Sequence, residues 1–424
     1  MNTINSSTNI REILTVVSIT CQQKRQRVNA MLTELLAPAG NLYKAKIALE
    51  YGADAVYIGG KQFSLRARAS NFDLSMIEEL VDFAHRLNKK VYVTMNMVFH
   101  DEDVDGLDDY LIQLDRIKVD AIICSNMIVI ERAKAITDLE IHLSTQFSLT
   151  NSRLANYFYE LGVKRVVLSR EASLEEIKTI QSASKADLEV FIHGGMCVSY
   201  SGRCTLSNYT VLRDANRGGC AHTCRWLYKL YEGDKMISDD YDFQMSSKDL
   251  EATNYIKDLL DLNISSLKVE GRMKSIHYIA TVINTYRMMI DDYQKGCMRP
   301  VEQYQIEIKK AENRLTSHGF FEGDTGVEQQ LYNSRSEVPT KEFVGLVKSY
   351  DQEKKELIIQ QRNYFKPGDY LEILNPDKTI VQFQVKQILD EDKIELDAAR
   401  HPLQIVRIAC PIAIMDNSMV RKIL

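Results

Sequence analysis

A unit that recurs eight times constrains this chain more than any other feature. Each unit is a short run of apolar and β-branched residues, then a few polar ones, then a longer stretch of helical periodicity. The runs fall at residues 34–38, 53–59, 90–96, 121–125, 140–146, 165–169, 188–194 and 266–271. Strands that are apolar on both faces and alternate with amphipathic helices belong to a parallel sheet covered by helices. The stretches 76–87 and 174–183 supply such covering faces. Eight units within about 240 residues match the count and size of a TIM-like (β/α)8 barrel. A doubly wound open sheet is the competing fold, but its G-x-G-x-x-G turn occurs nowhere in the chain.

The spacing jumps between the seventh and eighth runs, and an insertion of residues 195–250 fills the gap. It leaves the carboxyl end of strand seven, the end at which barrel enzymes place their chemistry. The barrel is expected over 31–315, with residues 1–30 as an N-terminal extension outside it and Met31 as an alternative start. A Gly-, Ser- and Asn-rich stretch, 316–340, reads as a linker. Beyond it the pattern changes to six short strands separated by turn signals such as Lys366-Pro-Gly-Asp369, which predicts a small closed all-β barrel over 341–424. That segment carries 13 basic and 13 acidic residues, so it has no charge preference.

A net charge of −5 argues against general coating of polyanions, though a local basic site for RNA is compatible with it. The apolar run 13–21 is too short to span a bilayer, and its basic cluster follows it, the reverse of a secretory signal. A cytoplasmic protein without a membrane partner is expected. In that compartment eight cysteines are not a disulfide framework. Cys21, Cys124, Cys297 and Cys410 are scattered, as small buried hydrophobes are.

The other four, Cys197, Cys204, Cys220 and Cys224, fall within 28 residues of the insertion. Four thiolates from one loop complete a tetrahedral shell or hold a cubane. Only the second pair has the two-to-four-residue spacing of zinc ribbons, so the wide first pair favours an iron–sulfur cluster, with a structural zinc site as the alternative. Nearby glycines, including Gly194 and Gly202, let the backbone fold tightly around such a group. Radical S-adenosylmethionine chemistry is excluded, because Leu227 stands where the third cysteine of its motif belongs.

Polar residues gather at the carboxyl ends of the predicted strands. Asn96, Gln146, His193 and Glu270 are the candidates for catalysis. Arg66, Arg170, Arg203, Arg217, Arg272 and Lys274, together with Arg68 and Arg225, predict a cationic mouth for an anionic ligand. The bland alternative is that several are solvated or pair with local acids such as Glu171. No H-E-x-x-H, G-x-S-x-G or G-x-x-x-x-G-K motif is present. His193 and His222 beside cysteines raise a thiol peptidase, but histidines next to a Cys-rich loop are more often structural.

Taken together, Glu34-Leu-Leu-Ala-Pro-Ala-Gly40, Gly52-Ala-Asp-Ala-Val-Tyr57, Asn71-Phe72, the stretch from Gly162 to Glu171, the cysteine block and Glu270-Gly-Arg-Met-Lys274 resemble the peptidase U32, or collagenase-like, family. Gly195 departs from the Ala or Ser usual there. Despite its name, the resemblance implies oxygen-independent hydroxylases with a [4Fe–4S] cluster, here on Cys197, Cys204, Cys220 and Cys224. The Asn216-Arg-Gly218 and Cys224-Arg-Trp226 stretches are most similar to members that act on tRNA. For these the resemblance implies conversion of the wobble uridine to 5-hydroxyuridine, with prephenate as hydroxyl source. Members acting on ribosomal RNA, a peptidase, and a non-catalytic partner of a paralogous subunit are the alternatives. A homo-oligomer or a complex with such a subunit is compatible with each.

Overall fold

The computed structural model describes residues 33–65, 71–238, 242–311, 314–331 and 343–423. The expected extension 1–30 and the arginines at 66 and 68 lie outside the described residues. Eight parallel strands close on themselves: β1 (Glu34–Pro38), β2 (Ala55–Gly59), β3 (Lys90–Met95), β4 (Ala121–Cys124), β5 (Glu140–Leu143), β6 (Arg165–Val167), β7 (Asp187–Gly194) and β8 (Ser266–Val269). Closure is explicit, because β8 is hydrogen-bonded to both β7 and β1. Helices α1 (Leu42–Glu50), α2 (Leu74–Arg86), α3 (Leu107–Ile117), α4 (Met127–Ile136), α5 (Ser152–Glu160) and α6 (Leu174–Ala183) follow the first six strands.

Local chemistry explains where the helices begin. The side chains of Asn41, Asp73, Asn126, Asn151 and Ser173 each accept a backbone N–H of the first turn that would otherwise lack a partner. Outward-facing strand residues such as Leu35, Val56, Val91 and Ile122 form one continuous core with the helices. Inward-facing Leu36, Ala55, Tyr57, Tyr92, Ala121 and Ile123 pack separately inside the barrel.

Below the mouth the interior is charged. Arg165 Nη1 lies 2.6 Å from Glu34 Oε1 and 3.3 Å from Glu189 Oε2. Lys268 Nζ is 2.7 Å from Glu189 Oε1 and stands over the Tyr57 ring. Burial alone would raise the Glu189 carboxyl, but Lys268 and Arg165 outweigh it and hold it below its usual range. Two acids thus face two bases in a dry interior.

The β7–β8 connection carries α7 (Leu206–Val211), a strand Asp249–Glu251 and α8 (Ile256–Asp261). The strand Asp249–Glu251 runs antiparallel on the carboxyl end of β7, pairing Leu250 with Gly194. Thr316–Ser317, read above as the start of a linker, instead pairs with Asp249 and Leu250. Leu331 N then donates to Ser246 O at 2.9 Å, so residues 314–331 are laid along the barrel rather than leading away from it.

The C-terminal domain is all-β. Eight antiparallel strands form one sheet, and the last, Met419–Lys422, lies centrally between Phe343–Asp351 and Tyr370–Leu374. It docks on α1 and on α9 (Ile276–Gln294), where Ile47, Tyr51 and Ala280 share a core with Leu346, Leu374 and Met419. Arg421, almost wholly buried, bridges Glu307 at 2.6 Å and Glu372 at 3.2 Å. Among the described residues no helix is long and apolar enough to cross a membrane.

Candidate functional site

The cysteine insertion is fastened across the carboxyl ends of the barrel strands. Val98 N donates to Asn216 O at 2.9 Å after β3, and Ser148 Oγ donates to Ser201 O after β5. Ser201 N donates to Glu171 Oε1 at 3.1 Å after β6. Gly202 has φ +75°, and a Cβ there would run into the backbone of Gln146, so only glycine lets the loop sit this close. Gly194, φ +107°, is pressed likewise against the backbone of Glu270 as the chain leaves β7. The thiol-bearing loop therefore lies on the catalytic face of the barrel.

Two of the thiols are shifted, and the other cysteines contribute to both shifts. Burial raises Cys197, Cys204 and Cys220 raise it further, and the Ser199 N–H and Arg170 oppose this. Cys224 is pushed up to about 11, chiefly by burial, with Arg225 lowering it and the other three thiols raising it. Among the described residues no three His, Cys, Asp or Glu side chains stand in the arrangement of a single-ion site. A cubane asks for something looser, since each of its four thiolates binds its own iron. All-thiol donor chemistry on one insertion and an N–H from Ser199 that favours the Cys197 thiolate fit such a group.

Around the mouth the structure brings together most of the expected polar residues. Asn96 Nδ2 donates to Gln146 Oε1 at 3.2 Å. Tyr57 OH donates to Glu270 Oε2 at 3.1 Å, and Arg170 Nη2 lies 3.6 Å from the same oxygen while its guanidinium stacks on Phe191 at 4.0 Å. Arg203 is exposed and donates to Ser148 Oγ.

Three expectations change. His193 lies beside a register shift between β7 and β8, and its Nδ1 is 3.2 Å from Tyr286 OH on α9. Burial drives its pKa down to about 3, with Asp249 opposing and Lys274 adding to the effect, so it is a neutral, buried ring beside the Asp249–Lys274 pair. Arg217 pairs with Asp103, and with Glu102 at 3.4 Å, which ties down the insertion. Arg272 is buried and donates to Asn71 Oδ1 at 3.0 Å and Leu65 O at 3.3 Å, holding the segment after β2. Both arginines serve the scaffold.

Two other expected cations, Lys274 and Arg225, lie in a cluster around Asp249. Lys274 Nζ is 3.3 Å from Asp249 Oδ2, and Arg314 Nη1 is 3.5 Å from Asp249 Oδ1. Arg225 joins them, since a Cβ on Gly195 would meet Arg225 Nη2 at 3.5 Å and Asp249 Oδ1 at 3.9 Å. Asp249 thus pairs with two cations and has a third, Arg225, alongside, all next to Gly195, two residues before Cys197. Lys274 is lowered by burial, with Asp249 opposing and Arg314 and Arg225 adding to the effect. Asp249 and Arg314 were not expected, because only the pairing of 316–317 with 249–250 brings them to the rim.

Residues 40–331 match peptidase family U32, and residues 339–421 match its C-terminal domain. The chain belongs to peptidase family U32. Among U32 relatives, it is 45% identical over 409 residues to the tRNA hydroxylation protein P1 of Bacillus subtilis, covering 94% of this chain and 96% of that one. It is 38% identical to the 23S rRNA 5-hydroxycytidine C2501 synthase of Escherichia coli over 69% of this chain and 43% of that protein. A third U32 relative, the collagenase of Porphyromonas gingivalis, is 31% identical over 68% of this chain and 72% of its own length.

Proposed function

We propose that this chain is an RNA-modifying enzyme that hydroxylates a tRNA uridine to 5-hydroxyuridine without molecular oxygen. One observation carries the reading: the insertion that bears four cysteines is fastened over the mouth of a barrel, beside a three-cation cluster, in a chain 45% identical, over 94% of its length, to a tRNA hydroxylation protein. Cys197, Cys204, Cys220 and Cys224 would hold a [4Fe–4S] cluster, which supplies the electron transfer that such a reaction needs.

The other roles follow from the geometry. Lys274, Arg225 and Arg314 gather their cationic groups around Asp249 beside the cysteine insertion, a donor set that suits a small carboxylate of the prephenate type. A base turned out of its RNA stack enters the mouth, where the Asn96 and Gln146 carboxamides offer donors and acceptors to its edge. Tyr57, Glu270 and Arg170 form a linked set that can hold a proton beside it. A peptidase would need a base next to its nucleophile, and His193 is turned away onto Tyr286.

The test is nucleoside mass spectrometry of tRNA from a deletion strain lacking paralogues, complemented with wild type or with Cys197→Ala. Wobble 5-hydroxyuridine should vanish on deletion, return with wild type and stay absent with the variant. Unchanged modification in the deletion strain would sink the proposal. Iron and sulfide in anaerobically purified protein should be near four each per chain; stoichiometric zinc in their place would reverse the cofactor assignment.

A further inference from the structure

The inner side of the cysteine insertion is spent on the barrel rim, but its outer side exposes large apolar groups that no packing requires. Tyr200, Tyr209, Leu212, Trp226, Leu227 and Tyr231 are all exposed, Tyr209 by 84% and Leu212 by 92%. Leu212 is held outward at the end of α7 in a left-handed conformation, φ 54°, which a leucine adopts only at a cost. Isolated apolar side chains on a surface are ordinary, whereas a dense aromatic group marks a binding face.

These residues belong to neighbouring pieces of one loop system. Helix α7 packs on the turn Thr223–Arg225, and Ala221 N donates to Ser207 Oγ at 3.1 Å, so the outer side of α7 adjoins Trp226. Tyr228 OH, donating to Thr223 O at 2.7 Å, ties the strand that follows to the same turn. The electrostatics are equally local. Residues 195–231 hold five Lys and Arg against a single acid, Asp214, in a chain of net charge −5. Arg203 and Arg213 make no ion pair among the described residues. Aromatic faces interleaved with unpaired arginines suit single-stranded nucleic acid, because bases stack on the rings while guanidinium groups meet phosphates.

We propose that the outer face of the insertion docks the unpaired nucleotides of an RNA loop, stacking bases on Tyr209, Trp226 and Tyr231 and pairing phosphates with Arg203 and Arg213. This rests on the RNA reading of the mouth and extends it: the segment that carries the thiols also grips the substrate. The platform presents the loop at the rim, and one base continues into the barrel.

Trp226 is the chain's only tryptophan and reports binding directly. Full-length protein is titrated with an anticodon stem-loop RNA and with a blunt duplex of the same stem, following its fluorescence. The loop RNA should quench Trp226 saturably and the duplex should not. Tyr209→Ala and Tyr231→Ala should each weaken loop binding about tenfold at unchanged melting temperature, with Tyr209→Phe restoring it. If wild type binds neither RNA, the RNA reading of the mouth fails together with the platform. If wild type binds the loop but the variants bind it equally well, the platform alone is overturned. Unchanged RNA affinity with a change of oligomeric state by light scattering would make this face a protein interface and also overturn it.

Discussion

Two of the buried charge clusters among the described residues of this barrel are built differently. In the interior Glu34 and Glu189 face Arg165 and Lys268, with contacts of 2.6 to 3.3 Å. At the mouth Asp249 faces Lys274, Arg314 and Arg225, with contacts of 3.3 and 3.5 Å to the first two. The first set is closed, since every charge has its counter-charge and no ligand is called for. The second set gathers three cations around one acid, in the segment that folds onto the carboxyl end of β7 beside the cysteine insertion. A buried network among the strands shapes a protein, whereas one at the carboxyl end of a barrel lies where ligands are met.

The sharpest way to break this contrast is to unbalance the closed set. Glu189→Gln leaves Arg165 and Lys268 with one acid between them, and should lower stability by about 3–5 kcal/mol, read from denaturant unfolding. A loss under ~1 kcal/mol would mean that the interior is wetter and less coupled than its distances state. Changing the mouth set should act on the ligand instead. Arg225→Ala should raise the KM for the anionic donor roughly tenfold to a hundredfold, as expected for one charged hydrogen bond, with the melting temperature and iron content unchanged. A fall in stability with unaltered KM would place Arg225 in the scaffold beside Arg217 and Arg272.

The smallest effect concerns a third arrangement, a buried ring facing only cations. His277 is buried, stacks on Phe343 at 4.7 Å and is lowered to about 3 by burial, with Arg421 and Lys310 acting in the same direction. An unfolded histidine titrates near 6.5. Between about pH 6.5 and 3 the unfolded chain therefore takes up a proton that the native ring refuses, and stability falls as pH drops through that window. His277→Phe should shift the acid-unfolding midpoint to lower pH and leave stability at pH 8 almost unaltered. An unchanged midpoint would show that the domain junction opens before this ring titrates.

Much of the site was legible in the chain before its fold was known. The thiol quartet, the Asn96 and Gln146 pair, Glu270 and Arg170 could be placed because strand ends can be counted and barrel chemistry lies at their carboxyl side. The misplacement of His193 has a specific origin. It follows Glu189 and Phe191 at the two-residue period that points inward, but at the register shift opposite Lys268 and Val269 its ring is set against Tyr286. The arginines failed for another reason: side-chain type predicts a capacity to bind anions, while partners such as Asp103 for Arg217 and Asn71 for Arg272 decide whether that capacity is already used.

By itself the sequence determined the eightfold β/α repeat, the all-β tail and the single segment that supplies four thiols, because periodicity and spacing are properties of neighbouring residues. Only the tertiary structure decided which charges gather at the end of β7. Asp249, Lys274, Arg225 and Arg314 come from four separated stretches, and they meet because Thr316–Ser317 folds back onto Asp249–Glu251 at the end of β7. Electrostatic balance is a sum over space, and one chain position carries no record of who its neighbours will be.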